Sequence, residues 1–321
     1  MPLRTSLKKA ALRSLRAAGA MSASARFRRG NTLVILCYHG ISLRDEHQWA
    51  PGLYIPPALF RERLAFLKSW GANVLPLGEA LARLRAGTLP PRSVVLTFDD
   101  GFRDFHRHAL PALRDFGFPC TLYLTTHYMH YRLPVFNLAL SYLLWKTDPL
   151  RFGSRDARDA ELARYLSRAE QDGLDTQQKD AVLRHLAENS GMNYDALLED
   201  QLFQIMTPDE VADLAAAGID IQLHTHRHRT PANHELFVRE IYDNAREIQA
   251  ITGRQPVHFC YPSGVTNPDF LPWLRECGVE SATTCVHSLV HPDTEPLMTP
   301  RYLDACGVTP LDFEAWLSGL R

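Results

Sequence analysis

The 321-residue chain is 45% hydrophobic and 22% charged, which excludes a disordered or fibrous protein and leaves room for one large domain or two modest ones. Its formal net charge of −1 argues against a general nucleic-acid binder. No run of about 18 apolar residues occurs, so no membrane-spanning helix is expected.

The charge is unevenly spread. Residues 1–30 carry Arg4, Lys8, Lys9, Arg13, Arg16, Arg26, Arg28 and Arg29 and no acid. Arg13 and Arg16 interrupt the only stretch that could serve as the apolar region of a secretory signal. Leu3, Leu7, Ala11 and Leu15 recur every four residues. A helix there presents a thin apolar stripe flanked by cations, suited to peripheral contact with an anionic membrane surface; a frayed, solvated start is the alternative. The six cysteines (37, 120, 260, 277, 285 and 306) form no C-x-x-C pair. Cys37, Cys120, Cys260 and Cys285 lie in or beside apolar runs and read as buried reduced thiols. A cytoplasmic protein, peripheral at the inner membrane face, is the resulting expectation.

From residue 31 onward one pattern recurs: a helical stretch ends in Gly and a short strand follows. It appears at Trp70-Gly71, Phe116-Gly117, Ala217-Gly218 and Cys277-Gly278. Glycine suits the left-handed residue that closes a helix. Thr207-Pro208-Asp209-Glu210 is a capping box with Pro in the first turn, and Asn267-Pro268 opens another helix. Repeated helix–Gly–strand units predict an α/β fold with parallel strands. Seven strands are expected, at 33–38, 74–77, 94–98, 121–125, 219–223, 257–260 and 281–284, a number that favours a barrel over an open sheet. Between about 127 and 206 no strand is expected, while 156–170 and 176–189 read as helices. This segment is a helical insertion after the fourth strand of a single domain spanning 31–321. It either shapes the substrate site, as loops at that end of a barrel do, or caps the fold without touching substrate.

The apolar run 94–98 leads directly into Asp99-Asp100-Gly101. Two adjacent carboxylates at a strand end repel each other and call for a cation or a division of roles; a helix cap made by one of them is the plainer reading. The run 219–223 delivers His224-Thr225-His226-Arg227-His228. Three imidazoles in five residues after a strand point to metal ligands, and with the Asp pair they suggest a His₂Asp site.

Thr97-Phe98-Asp99-Asp100-Gly101 together with His224-Thr225-x-x-His228 resembles the polysaccharide deacetylase family, also called the NodB-homology or carbohydrate esterase 4 group. Phe259-Cys260-Tyr261-Pro262-Ser263-Gly264 resembles the F-x-Y-P-x-G motif of one of its branches. The likeness is collinear from Cys37-Tyr38-His39-Gly40 to Arg301, with 127–206 poorly matched. It implies a distorted (β/α)₇ barrel, with Asp99 as general base and Asp100, His224 and His228 as metal ligands. The backbone N–H of Tyr261 would contribute to an oxyanion hole, and His226 would be a bystander. It also implies a divalent metal, zinc by default, with Co²⁺, Ni²⁺ or Mn²⁺ compatible with the same ligands.

Two departures from the family pattern stand out. The Arg that commonly precedes the third motif is absent; Arg301, in Thr299-Pro300-Arg301-Tyr302, either supplies its charge or is a surface residue. The late L-x-H-D motif, whose His acts as general acid, has only a loose echo in Leu289-Val290-His291-Pro292-Asp293, with His287 as a second candidate. His39 is assigned no step.

The implied activity is metal-dependent removal of an acetyl group from an N-acetylated sugar of a glycan or lipid-linked precursor. The alternatives are an amidohydrolase acting on a non-sugar amide and an inactive metal- or glycan-binding module. Trp49, Tyr54, Tyr128 and Trp145 are the aromatic side chains available for stacking on sugar rings.

Overall fold

A computed structural model describes residues 2–17, 20, 21, 24, 31–147 and 155–320. Ten strands occur among them in chain order: β1 Val34–Tyr38, β2 Gly40–Ile41, β3 Tyr54–Ile55, β4 Asn73–Val74, β5 Ser93–Phe98, β6 Thr121–Leu124, β7 Asp220–Leu223, β8 His258–Cys260, β9 Ser281–Thr283 and β10 Tyr302–Leu303. Eight of these form one parallel sheet, ordered β10-β1-β5-β6-β7-β8-β9, with β4 also paired to β5. A parallel bridge between Thr283 and Thr299 links the two ends of that order and curls the sheet toward closure. The fold is thus the α/β, distorted parallel barrel that the sequence predicts.

The distortion sits at β4. Val74 pairs with Val94 near the start of β5, whereas β6 pairs with Thr97 and Phe98 at its end. β1 runs along β5 throughout, from Val34–Val94 to Tyr38–Phe98. The predicted strand 74–77 therefore ends at Val74. Pro76 has no N–H to extend the ladder, and a helix begins at once, Leu77–Arg85. The eighth sheet strand, β10, was not expected, since two residues carry no periodicity.

Helices cover the sheet as the glycine pattern implies. Gly71 and Gly117 close Pro57–Trp70 and Leu110–Phe116 in the left-handed conformation, at φ 74° and 68°. Thr207 and Glu210 form the predicted capping box: the Thr207 N–H donates to Glu210 Oε2 at 2.8 Å, and Thr207 Oγ1 accepts from the Glu210 N–H.

The insertion after β6 is helical, with Phe136–Lys146, Arg155–Gln171, Thr176–Asn189 and Tyr194–Glu199. It has its own core, in which Leu140, Leu143, Leu183, Leu186, Leu197 and Leu202 are buried.

Near the amino terminus, Pro2–Ala17 is a helix. Leu12 is buried with Met21 and Ala315, and Arg16 pairs with Glu314 at 2.9 Å, so this helix rests on the C-terminal helix Pro310–Ser318. Of the expected apolar stripe, Ala11 and Leu15 are exposed, and the side chains of Leu3 and Leu7 lie outside those described. Among the described residues no helix is long and apolar enough to cross a membrane.

Candidate active site

The site is built at the C-terminal ends of β1, β5, β7 and β8. The Asp99 N–H donates to Tyr38 O at 3.0 Å, carrying the β1–β5 pairing one residue past the strand. Asp100 then turns left-handed at φ 72°, and its carbonyl accepts the Thr125 N–H at 3.2 Å. Gly101 follows at φ 88°, a left-handed conformation that favours glycine, and a Cβ there would displace the Leu124 side chain of β6, whose Cδ1 would lie 2.3 Å away. This turn sends the two neighbouring carboxylates into different surroundings.

Asp99 is buried, and Arg301 grips both its oxygens: Nη1 donates to Oδ1 at 2.7 Å and Nη2 to Oδ2 at 2.8 Å. Arg301 is itself buried and also donates to Thr284 O and Thr97 Oγ1. Burial alone would raise the Asp99 carboxyl. The guanidinium outweighs it and holds Asp99 well below the usual carboxylate range, as an anion. The charge missing ahead of the third motif is thus supplied by Arg301, not left at the surface.

Asp100 Oδ1 instead lies 3.2 Å from Nε2 of both His224 and His228. Burial again opposes ionisation, and the facing imidazoles overcome it and depress the Asp100 carboxyl. For His224, burial disfavours the imidazolium, but the bond to Asp100 and the nearby Asp99 charge raise it on balance.

The imidazoles are positioned from behind. The His224 ring donates from Nδ1 to Cys260 O at 2.9 Å, which fixes the ring and leaves Nε2, turned to Asp100, as the atom that would bind a metal. Past β7 the chain winds tightly, with Thr225 at φ 61° and His228 at φ 55°. A left-handed, fully buried, β-branched Thr225 is a strained arrangement. It is held by Thr225 Oγ1, which accepts the Arg229 N–H at 3.0 Å, and by Thr125 Oγ1, which donates to Thr225 O at 3.2 Å. The winding brings His224 and His228 together and turns His226 away, to Thr126 Oγ1 at 2.9 Å. His226 is outside the cluster.

Two residues of the helix His234–Thr252 secure this loop, and sequence reading missed both. Asn244 Oδ1 accepts the His224 N–H at 2.9 Å while Nδ2 donates to Leu124 O, tying β6 to β7. Glu240 accepts from the Arg227 N–H at 2.8 Å and from Arg229 Nε at 2.7 Å. Both are buried on the helix face that carries Phe237, Ile241, Ala245 and Ile248. Polar residues set inside an apolar stripe are the signal that could have revealed them.

The donor atoms of Asp100, His224 and His228 lie within 4.8 Å of one another, as a single cation requires. Two imidazoles and a carboxylate suit a divalent ion and leave coordination positions open. Cys37, His39 and Asp99, and likewise Asp99, His224 and Cys260, are also close together. In both groups, however, Asp99 already faces the Arg301 guanidinium, which opposes a second cation. The Asp100 cluster fits a metal; the Asp99 clusters do not.

A cavity of about 560 Å³ opens over Asp99, Asp100, His224 and His228. The insertion supplies much of its wall, through Leu133–Leu138 and through Thr176, Lys179, Asp180 and Leu183. His39 lines it too, with Nε2 3.7 Å from Asp99 Oδ2 and a buried Nδ1 that has no partner. Burial lowers His39 below the usual imidazole range, against the pull of Asp99 and Asp100. His127 shares the wall, pushed down to about 4 by burial and by His226 and Arg227.

Several expected residues are placed elsewhere. His291 is exposed and lies at the opposite end of the barrel, because the neighbouring Val290 pairs with Leu33 at the start of β1. The Pro292 turn holds it there, with the His291 N–H donating to Thr294 Oγ1 at 2.9 Å. His287 packs on Tyr302 and Trp316, away from the cavity. Tyr261 is at the cavity, but its N–H donates to Thr283 O at 3.2 Å within the sheet, so this donor is taken. Trp49 and Tyr54 pack with Tyr142 and Phe203, and Trp145 packs on Tyr142; of the four expected stacking residues, Tyr128 alone lines the cavity. Cys285 is exposed at the cavity rather than buried, since β9 ends two residues earlier.

The polysaccharide deacetylase family model matches residues 86–282, more than half the chain and both histidine and aspartate motifs. The chain belongs to the polysaccharide deacetylase family. A poly-beta-1,6-N-acetyl-D-glucosamine N-deacetylase of Escherichia coli is 30% identical over 90 residues, which are 28% of this chain and only 13% of that protein. Two solved structures share the fold over nearly their whole length. The Streptococcus pyogenes deacetylase PplD in complex with acetate has a TM-score of 0.62 at 18% identity, covering 89% of this chain and 98% of that one. IcaB from Ammonifex degensii has a TM-score of 0.58 at 19% identity, covering 90% and 98%. The family match ends before Arg301, the residue that holds Asp99.

Proposed function

We propose that the protein removes the acetyl group from an N-acetylated sugar of a glycan or glycolipid, releasing acetate and a free amine. The observation that carries this reading is the division between two adjacent aspartates. Asp100 faces His224 and His228, while Asp99, held as an anion by Arg301, faces the same cavity. The N-deacetylase activity of the E. coli relative and the acetate bound to the S. pyogenes protein support the same chemistry.

Asp100, His224 and His228 would hold a divalent metal, zinc by ligand type. When bound, it supplies a Lewis acid that polarises the acetyl carbonyl and acidifies a water. Asp99, oriented by the Arg301 fork, would act as the base that accepts the proton of the attacking water. His39 sits beside Asp99 as a largely neutral imidazole and takes part in handing the proton to the leaving amine, the role for which His291 is too distant. The turn after Tyr261 brings Ser263 and Gly264 to the cavity, and a backbone N–H there would take the oxyanion role expected of Tyr261. Peripheral membrane contact through the helix Pro2–Ala17, whose Arg13 is exposed, belongs to the same proposal, as does a place at the inner face of the membrane.

The test is acetate release from a panel of N-acetylated glycans and alkyl glycosides. Metal-loaded protein, chelated protein and Asp99→Asn are compared, with bound metal quantified in each. Release that is lost on chelation, and lost in Asp99→Asn with one metal still bound, supports the reading. One equivalent of metal without release from any sugar rejects it.

A further inference from the structure

The cavity has two unlike walls. On the barrel side stand the aspartates, the imidazoles and Tyr261; on the insertion side an apolar stretch of Leu133, Pro134, Val135, Phe136, Leu138 and Leu183 lies beside the polar Thr176, Lys179 and Asp180. Leu53, from the loop before β3, completes the apolar side and is 38% exposed. Val135, Phe136, Leu138 and Leu183 also pack into the buried cores, so their presence at the wall follows from the fold. Leu53 and Leu133 do not belong to those cores. Two leucines that line a cavity without packing behind it expose apolar surface that only a ligand would cover.

Of the aromatic residues that could stack on sugar, Tyr128 and Tyr131 line the cavity. Trp49, Tyr54 and Trp145 are turned into the insertion's own packing. At about 560 Å³ the cavity has the size of a small-molecule site, enough for one sugar ring and a stretch of chain.

We infer that the insertion side of the cavity binds an apolar chain attached to the sugar, so that the substrate is a single N-acetylated sugar on a lipid rather than a segment of polysaccharide. This rests on the deacetylase reading and narrows its substrate. The insertion supplies the site: its helices bring an apolar surface to the rim of a polar reaction centre, and Leu53 faces it from the barrel.

The test uses methyl, octyl and dodecyl β-glycosides of N-acetylglucosamine, kept below their micellar concentrations, beside N-acetylglucosamine oligomers of two to five units. Affinity is measured by calorimetry and turnover by acetate release. Burying a methylene is worth up to about 4-fold in affinity, a ceiling of about 10⁴-fold for the seven that octyl adds, and octyl is expected to bind about 100-fold tighter than methyl. Leu53→Gln and Leu133→Gln, at exposed and half-buried positions, should fold normally and remove most of that gain. Binding of the methyl glycoside should be unchanged in both. Affinity that is flat with alkyl length but climbs with each added sugar would overturn the inference, as would a chain-length gain untouched by both variants. Tight, leucine-dependent binding of dodecyl glycoside without acetate release would keep the apolar site and reject the deacetylase reading. Turnover of oligomers alone would do the reverse.

Discussion

Arg301 and Asp99 meet through two parallel hydrogen bonds of 2.7 and 2.8 Å, although 202 residues separate them in the chain. Both are buried, so neither charge is compensated by water. The fork fixes the plane of the Asp99 carboxylate, which a Lys at this position would not do. Removing one partner leaves the other as an isolated buried charge.

Arg301→Met is therefore expected to destabilise the fold by about 3–5 kcal/mol, measured by urea denaturation at pH 7. Adding Asp99→Asn to it should recover much of the loss. Arg301→Lys should keep more stability yet lose most activity. The acid sensitivity follows in sign: the folded Asp99 carboxyl is depressed, so its contribution is full above the unfolded value of about 3.9 and is lost as pH falls below it. Equal stability of Arg301→Met and wild type at pH 7 would contradict the pairing.

The legible parts of this molecule are those written in short, contiguous stretches. Asp99-Asp100-Gly101 and His224 to His228 each follow an apolar strand, and their motif spacing is local. The helix-closing glycines revealed the alternation of helix and strand for the same reason. What remained hidden depends on long-range contact. Arg301 was legible only through the family resemblance, which offered it as the charge for Asp99 or as a surface residue; the two-residue strand β10 that follows it has no pattern to decide between them. His291 looked acceptable because its loop follows the last predicted strand, but the Leu33–Val290 bridge carries that loop to the far end of the barrel. Tyr261 had the right position and a committed N–H, a fact that only the β8–β9 register supplies.

His39 and His127 are the cavity imidazoles outside the Asp100 cluster, and His39 is the one beside Asp99, its Nε2 3.7 Å from Oδ2. His39→Asn should lower kcat by about 10²–10⁴, the range for general acid–base groups, with metal content still at one equivalent and KM changed little. Inductively coupled plasma mass spectrometry on the same preparation used for kinetics makes the comparison. If activity falls only in proportion to lost metal, His39 supports the site and does not move a proton.

Asn244 positions a candidate metal ligand, His224, whose ring it does not touch. Its Oδ1 takes the His224 N–H, and its amide spans to Leu124 O and Thr126 Oγ1. Asn244→Ala leaves a buried N–H and a buried carbonyl without partners, at about 1–3 kcal/mol each. Because His224 then loses its anchor, metal affinity should fall about 10–100-fold. Asn244→Asp keeps the acceptor but not the donor, and should sit between the two. Competition titration against a chelator of known affinity measures this; unchanged affinity in Asn244→Ala would show that the Cys260 carbonyl alone orients the ring.

Asp104 offers a stability effect with a distinctive pH signature. It is buried, its Oδ1 has no partner, and the nearby Tyr54 hydroxyl is also unpartnered. Burial, with Glu46 and Asp100 adding like charge, raises the Asp104 carboxyl well above its ordinary value. A raised folded value means that the native state holds a proton the unfolded chain has released. Stability then falls as pH rises from about 4 toward the raised value, by up to about 1.4 kcal/mol per pH unit. Asp104→Asn removes this group while keeping its shape. The variant should be more stable than wild type at pH 7, with the advantage shrinking toward pH 4. Glu46, also raised by burial, remains and keeps part of the slope. Urea midpoints at pH 5, 6 and 7 give the comparison, and parallel curves for the two proteins would mean that Asp104 ionises in the fold as readily as in water.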